Sequence, residues 1–399
     1  FFCIYFDTAV IDLKRFSIRR QKYINAITFF ITVLGIAGLV AAPDRTSDAA
    51  ADGISVCLNT VVPSLFPFFV FSSLFIGLGF AQKIGRRTEW LMRPLFHVNG
   101  ACSGIFVLGL ISGFPVGAKT AVKLYQSGGC SKVEAERMLA FCNNAGPAFV
   151  LGTVGMGIWN SPSAGWILLS SQIVASVLTG ILFSRIWRSS SQDRFSPAVL
   201  SQPKQERRPF FSVFVSSVRD AAVSMVYICA FIIFFAVIIS MLQGFGIIPV
   251  LAKGICAIFP FDLQTVENAL AGVFEMTTGV RMVGNAAPVI RSLTLTGAIL
   301  GWAGFSVHCQ VLTFVYESGL STVPYFWGKI LQTVFSGLFT FLLSWLFHLD
   351  SVQTLSQAVP AFSSSFVFSY RYMLFSVCIG VALICFGSLF VLLVQNRKN

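Results

Sequence analysis

The chain has 399 residues, of which 55% are hydrophobic and only 11% charged; a soluble domain carries about 25% charged residues, so this is a polytopic membrane protein. Its net charge of +12 first suggests nucleic acid, but no soluble stretch holds a basic stripe with interleaved aromatics, and nucleic acid is excluded as a partner. Ten scattered Cys without a Cys-x-x-Cys and three distant His give neither a disulfide framework nor a metal site. No phosphate-binding loop or nucleophile elbow appears, so the expectation is a protein without cofactor and without enzymatic chemistry.

A span needs about 20 mostly apolar residues, and by that rule the chain offers roughly seven full spans plus re-entrant segments. The 42 Phe read as lipid-facing bulk rather than an aromatic cage. The chain begins with Phe1 rather than Met, which points to a fragment or a mis-set start and an incomplete stretch over 1–23. Lys14, Arg15, Arg19, Arg20 and Lys22 precede an apolar run at 24–42, longer than the apolar part of a signal peptide. We read it as an uncleaved span, with 49–60 in the interface and 61–80 as the second span. Residues 81–100 pair Arg87 and Arg93 with Trp90, Leu91 and Phe96, the pattern of an interfacial helix.

The first interrupted segment follows at 104–125. Gly109, Gly113 and Gly117 are spaced for close helix packing, but Pro115 between them favours a re-entrant turn. Ser131 and Glu134 form a capping box. The helix it starts breaks at Asn143, Asn144, Gly146 and Pro147, about 18 Å in at 1.5 Å per residue, near mid-membrane. Residues 166–187 form the next span, and 188–219 are a basic linker dividing the chain. Then come a span at 221–242, a short apolar stretch at 246–260, a second pair of interrupted segments at 269–283 and 293–315, and spans at 323–347 and 372–394.

The two halves align. Phe114-Pro-Val-Gly-Ala-Lys119 lies over Met276-Thr-Thr-Gly-Val-Arg281 at an offset of 162, and 139–151 lies over 300–312 at an offset of 161. Of 28 Lys and Arg, 22 fall in segments placed on the cytoplasmic side, the positive-inside signature; Lys329 alone sits within a span. One re-entrant segment then enters from each side, an inverted-topology repeat. The domains expected are an anchor and interfacial segment at 1–60, a first repeat at 61–187, the linker at 188–219, a second repeat at 220–347 and a last span at 348–399.

Irregular backbone at membrane depth persists only where protein or a water-filled cavity covers it, so the breaks mark the candidate site: Gly113, Pro115, Gly117, Gly146 and Pro147 in the first repeat, Gly279 and Gly304 in the second. A charge at the bilayer centre costs about 2.5–3.5 kcal/mol. Glu275, the one carboxylate in a re-entrant segment, therefore either binds a coupling cation or a solute hydroxyl or amine, or pairs with Arg281 or caps a half-helix. Asn143 and Asn144 either read a nucleobase or sugar, or satisfy freed backbone groups. Ser112, Thr277, Thr278 and Ser306 are further candidates, although Ser and Thr in membrane helices often bond their own backbone. His308 and Gln310 sit just past the second break, His308 as ligand, proton relay or packing residue. Lys119 and Arg281 end the re-entrant segments and snorkel to an interface.

Ser-Gly-Phe-Pro-Val-Gly-Ala-Lys119, Phe-Cys-Asn-Asn-Ala-Gly-Pro147, Phe-Glu-Met-Thr-Thr-Gly279 and Gly-Phe-Ser-Val-His-Cys-Gln310 resemble the YlbJ family of sporulation integral membrane proteins, over about residues 25–345. That family carries paired nucleoside-recognition (Gate) domains, themselves similar to the core of concentrative nucleoside transporters. The resemblance implies an all-α fold of two inverted-topology repeats with re-entrant and broken helices, and a role in endospore formation; fold does not carry substrate with it. The reading is a secondary transporter of a small polar, nucleoside-like solute in a bacterial cell membrane, multi-pass, with both termini cytoplasmic. Its expected partners are the lipid bilayer, that solute, a coupling cation and further copies in a homo-oligomer. The alternative is a non-transporting membrane scaffold for spore envelope (cortex) assembly.

Overall fold

The computed structural model describes residues 25–78, 80–187, 209–284 and 289–347. The basic segment before residue 25, most of the linker and the expected C-terminal span lie outside them. Every regular element among the described residues is helical, as a segment in lipid must satisfy its own backbone. Among the described residues five helices are long and apolar enough to cross a membrane.

A first helix, α1 (Asn25–Ala41), leads through Pro43 into one long rod: α2 (Pro43–Val56), a π-helical turn (Cys57–Val61) and α3 (Val62–Gly77). The expected interfacial segment at 49–60 is therefore part of one continuous helix, because nothing in Ser55-Val-Cys-Leu-Asn-Thr60 breaks the backbone. The amphipathic α4 (Phe80–Phe96) follows, with Leu91, Met92, Leu95 and Phe96 buried and Trp90 exposed. Helices α5 (Ser103–Ser112) and α6 (Val116–Gln126) form a hairpin. The chain turns 96° between the end of α4 and this hairpin, as a re-entrant segment does. Next come α7 (Lys132–Phe141), a π-helix (Ala148–Ile158) and the long α8 (Pro162–Ile186).

The same order recurs. The long α9 (Phe210–Gly244) is followed by the short α10 (Ile247–Ile258), a hairpin of α11 (Leu263–Phe274) and α12 (Met276–Gly284), a broken span of α13 (Val289–Trp302) and α14 (Gly304–Val315), and the long α15 (Val323–Leu346). Each repeat thus begins earlier than its Gly and Pro signals, at Pro43 and at Phe210. Residues 210–219, expected in the linker, are the first turns of α9.

Polar contacts at the helix ends fix the inversion. At one end, Arg137, midway along α7, reaches back to donate to the carbonyls of His97 and Trp187 at 2.6 and 2.7 Å. Glu136 there accepts from the Ser321 amide at 2.9 Å. The base of the first hairpin, the end of α8 and the start of α15 therefore share one face. At the other end, Arg45 lies against Gly244, and Gly284 at the base of the second hairpin lies against Ile158 and Trp159. The two hairpins enter from opposite faces, as an odd number of crossings between them (α7 with its π-helix, α8, α9) requires.

Helix starts follow their side chains. The Ser131–Glu134 capping box is present, with the Ser131 amide donating to Glu134 at 2.8 Å and the Glu134 amide to Ser131 at 3.3 Å. Ser161 caps α8 ahead of Pro162, and Asp262 caps α11. At the centre α15 packs on α7, α8 and α13. It does so through small residues: a Cβ on Gly328 would meet the backbone of Ala140, and one on Gly301 that of Gln332. Close backbone approach of this kind is how helices associate where lipid supplies no hydrophobic drive.

A cleft between two hairpin tips and two broken helices

The first hairpin turns at Ser112-Gly-Phe-Pro115. Gly113 has φ +74°, a conformation that disfavours any residue with a Cβ. A Cβ there would also press on the Gly146 amide nitrogen at 2.6 Å. The tip thus rests directly on the break of its own repeat. Gly117 lies inside α6 instead of at the turn, where it lets the returning arm reach the Cys142 carbonyl. Its counterpart Gly279 likewise lies inside α12, against Gly272 of α11. Both expected breaks are therefore packing positions, and Pro115 stands just before the first residue of α6, without a side-chain cap.

Helix α7 ends at Phe141, and the chain runs without regular structure to Pro147. The two Asn side chains absorb the freed backbone groups. Asn143 accepts from the Ala118 amide at 2.8 Å and donates to the Leu139 carbonyl at 3.3 Å. Asn144 donates to the Phe141 carbonyl at 3.0 Å and to Ser176 at 3.2 Å, and accepts from Gln332 at 3.3 Å. Both amides face protein behind the break.

In the second repeat the turn is Glu275 itself. It is extended between α11 and α12 and only 2% exposed. Its two carboxylate oxygens accept from the Thr277 amide at 2.9 Å and the Thr278 amide at 2.6 Å. It caps α12, where a negative charge is favoured by the helix dipole. Arg281 pairs instead with Asp52 at 3.9 Å. The second break is a left-handed pair, Ala303 at φ +79° and Gly304 at φ +81°. Gly304 passes the Met276 amide nitrogen so closely that a Cβ would lie 2.9 Å from it.

Both tips, the first break and the start of α14 just past the second break face one cleft, with about 580 Å³ of free space counting its open mouth. Ser112, Gly113, Gly146, Glu275, Thr277, Ser306 and Gln310 line it, with Phe68, Phe69, Phe114, Phe149 and Phe231 among its walls. Ser112 Oγ is buried there without a protein partner. The other expected site residues lie beyond the cleft wall. Thr278 gives its amide to Glu275. His308 is packed edge-on against Trp302 at 4.5 Å and shares a 2.7 Å hydrogen bond with the Tyr325 hydroxyl. Asn143 and Asn144 hold the break from behind.

Sequence reasoning missed the polar side chains of α8 and α15. Gln172 accepts from the Ala145 amide at 3.3 Å. Lys329, 1% exposed, donates to the Asn143 carbonyl at 2.6 Å, to Gln332 at 2.7 Å and to the Gly301 carbonyl at 3.3 Å. A signal for them does exist: Lys329, Gln332, Ser336, Thr340 and Ser344 recur at helical spacing along one side of α15, and a polar stripe in a membrane span faces protein.

A family model described as "Nucleoside recognition" (Gate) matches residues 58–186. The sporulation integral membrane protein YlbJ of Bacillus subtilis (strain 168) is 30% identical over 324 residues, which cover 77% of this chain and 79% of that protein. The solved structure of CNTnw, in an inward-facing substrate-bound state, shares the fold with a TM-score of 0.50 at 12% identity, covering 77% of this chain and 85% of that one. An integral membrane protein that matches this relative across most of both lengths, this chain belongs to the YlbJ family of sporulation integral membrane proteins.

Proposed function

We propose that the protein is a secondary transporter that carries a small polar, nucleoside-like solute by alternating access and acts in endospore formation. The observation that carries this reading is the meeting of both hairpin tips, the first helix break and the start of α14 at a single cleft. A transport site at a repeat interface is built in that way, with half-helix ends pointing at the solute. The Phe walls of the cleft suit the face of a planar ring. Ser112, Ser306, Thr277 and Gln310 supply donors and acceptors at the rim of that ring, and the lone pairs Glu275 keeps free of its cap accept solute hydroxyls. We place the face that carries Arg137 and the linker in the cytoplasm, with both termini on that side, in a bacterial cell membrane.

The reading is tested by uptake and binding in liposomes containing the purified protein, across a panel of nucleosides and other small polar ring compounds. We expect one class to be taken up saturably, with uptake reduced about tenfold in Ser112→Ala and in Gln310→Ala. A folded protein that neither binds nor moves any of them, in cells where cleft variants support normal sporulation, would sink the transporter reading and leave the envelope scaffold.

A further inference from the structure

The two broken helices point their C-terminal ends at each other. α7 ends at Phe141 and presents the Asn143 carbonyl; α13 ends at Trp302 and presents the Gly301 carbonyl. C-terminal ends carry the negative pole of the helix dipole, and unwound carbonyls at such ends are what membrane transporters use to hold small cations. Here the oxygens converge, together with the Gln332 side-chain oxygen, on one atom: the Lys329 ammonium, at 2.6, 3.3 and 2.7 Å. Its three N–H bonds therefore have three oxygen acceptors. The Phe114 ring covers it at 4.7 Å from Nζ to centroid, a cation–π arrangement. Among the described residues no carboxylate pairs with it. Dipoles and a ring face neutralise this charge, as they would a bare metal cation. The position equivalent to Lys329 in the first repeat is Leu168, at the offset of 161, so one ammonium serves both halves.

We propose that Lys329 is a tethered cation: its ammonium fills a monovalent-cation site at the facing ends of the two broken helices, so that the protein needs no exchangeable metal ion there. The inference concerns what holds the repeats together and stands apart from the identity of the solute. It predicts that cutting back the side chain opens the site to ions from solution.

The test is thermal unfolding of the purified full chain in NaCl, KCl, ammonium chloride and choline chloride at equal ionic strength. Wild type should melt at the same temperature in all four. Lys329→Ala should melt lower in choline and recover by about 3 °C or more, saturably, in Na⁺, K⁺ or ammonium. Lys329→Met, whose unbranched side chain refills the space without charge, should stay low in every salt. Equal melting of Lys329→Ala in all salts would overturn the proposal. So would saturable stabilisation of the wild type by Na⁺ or K⁺ over choline, a measurement that decides the matter even if Lys329→Ala yields no folded protein.

Discussion

Two polar residues only a short way apart in space have opposite roles, and substitution separates them. Ser112 Oγ has no protein partner and lines the cleft, so Ser112→Ala removes no internal hydrogen bond. We expect normal membrane abundance and a loss of function of about tenfold, the worth of one good hydrogen bond to a solute. Asn144 has three protein partners and 4% exposure. Asn144→Ala takes one bond each from the Phe141 carbonyl, Ser176 and Gln332, which keep their bonds to one another, at about 0.5–1.5 kcal/mol for each bond lost. Its function should fall in step with its abundance. Glu275→Gln stands between the two: one of the amides of Thr277 and Thr278 then faces an NH₂ in place of an acceptor. Abundance should drop modestly while function falls further. Quantitative blots of membranes set against sporulation frequency give both readouts, and an Asn144→Ala protein at full abundance with no function would move that residue into the binding set.

At the scale of elements, the breaks were legible because each rule that stops a helix leaves a residue behind: Gly113 and Pro115 at one tip, Pro147 after the first break, Ser131 and Glu134 at a start. Three things were not legible. Gly117 and Gly279 carry the same residue type as a turn but lie inside helices, since a Gly that admits a neighbouring backbone reads like one that bends. The second tip has no Gly or Pro at its corner, because Glu275 turns the chain by capping α12 with its own carboxylate. The rod over Pro43–Gly77 contains residues polar enough to suggest an interface, yet α9 packs along it. The two functions of glycine separate by experiment. Gly128 has φ +76° with open space around it, whereas Gly113 has φ +74° and the Gly146 nitrogen in the way. Gly128→Ala should cost only the strain of a left-handed Ala, about 1–2 kcal/mol. Gly113→Ala adds a collision between two backbones and should yield little folded protein. Comparable melting temperatures for the two would show that the tip does not rest on the break.

For the whole molecule the testable property is sidedness, because the number of crossings ties every element to one face or the other. Ser127 lies in the turn after the first hairpin and Ser161 at the start of α8, separated by one crossing through α7 and its π-helix. Phe261 lies before the second hairpin, two crossings further on through α8 and α9, and Tyr316 lies after α14, one crossing beyond that. Ser127, Phe261 and Tyr316 are exposed, the last two at 58% and 86%, and Ser161 is partly so. Each is replaced by Cys in a background without the ten native Cys and treated with a membrane-impermeant maleimide in intact and in permeabilised cells. Cys at 161 and 261 should react in intact cells, and Cys at 127 and 316 only after permeabilisation, the basic segments being held inside. If 127 and 161 react from one side, α7 and its π-helix do not cross. If 161 and 261 react from opposite sides, α8 and α9 do not both cross, the two hairpins enter from the same face, and the facing helix ends around Lys329 lose the symmetry that brings them together.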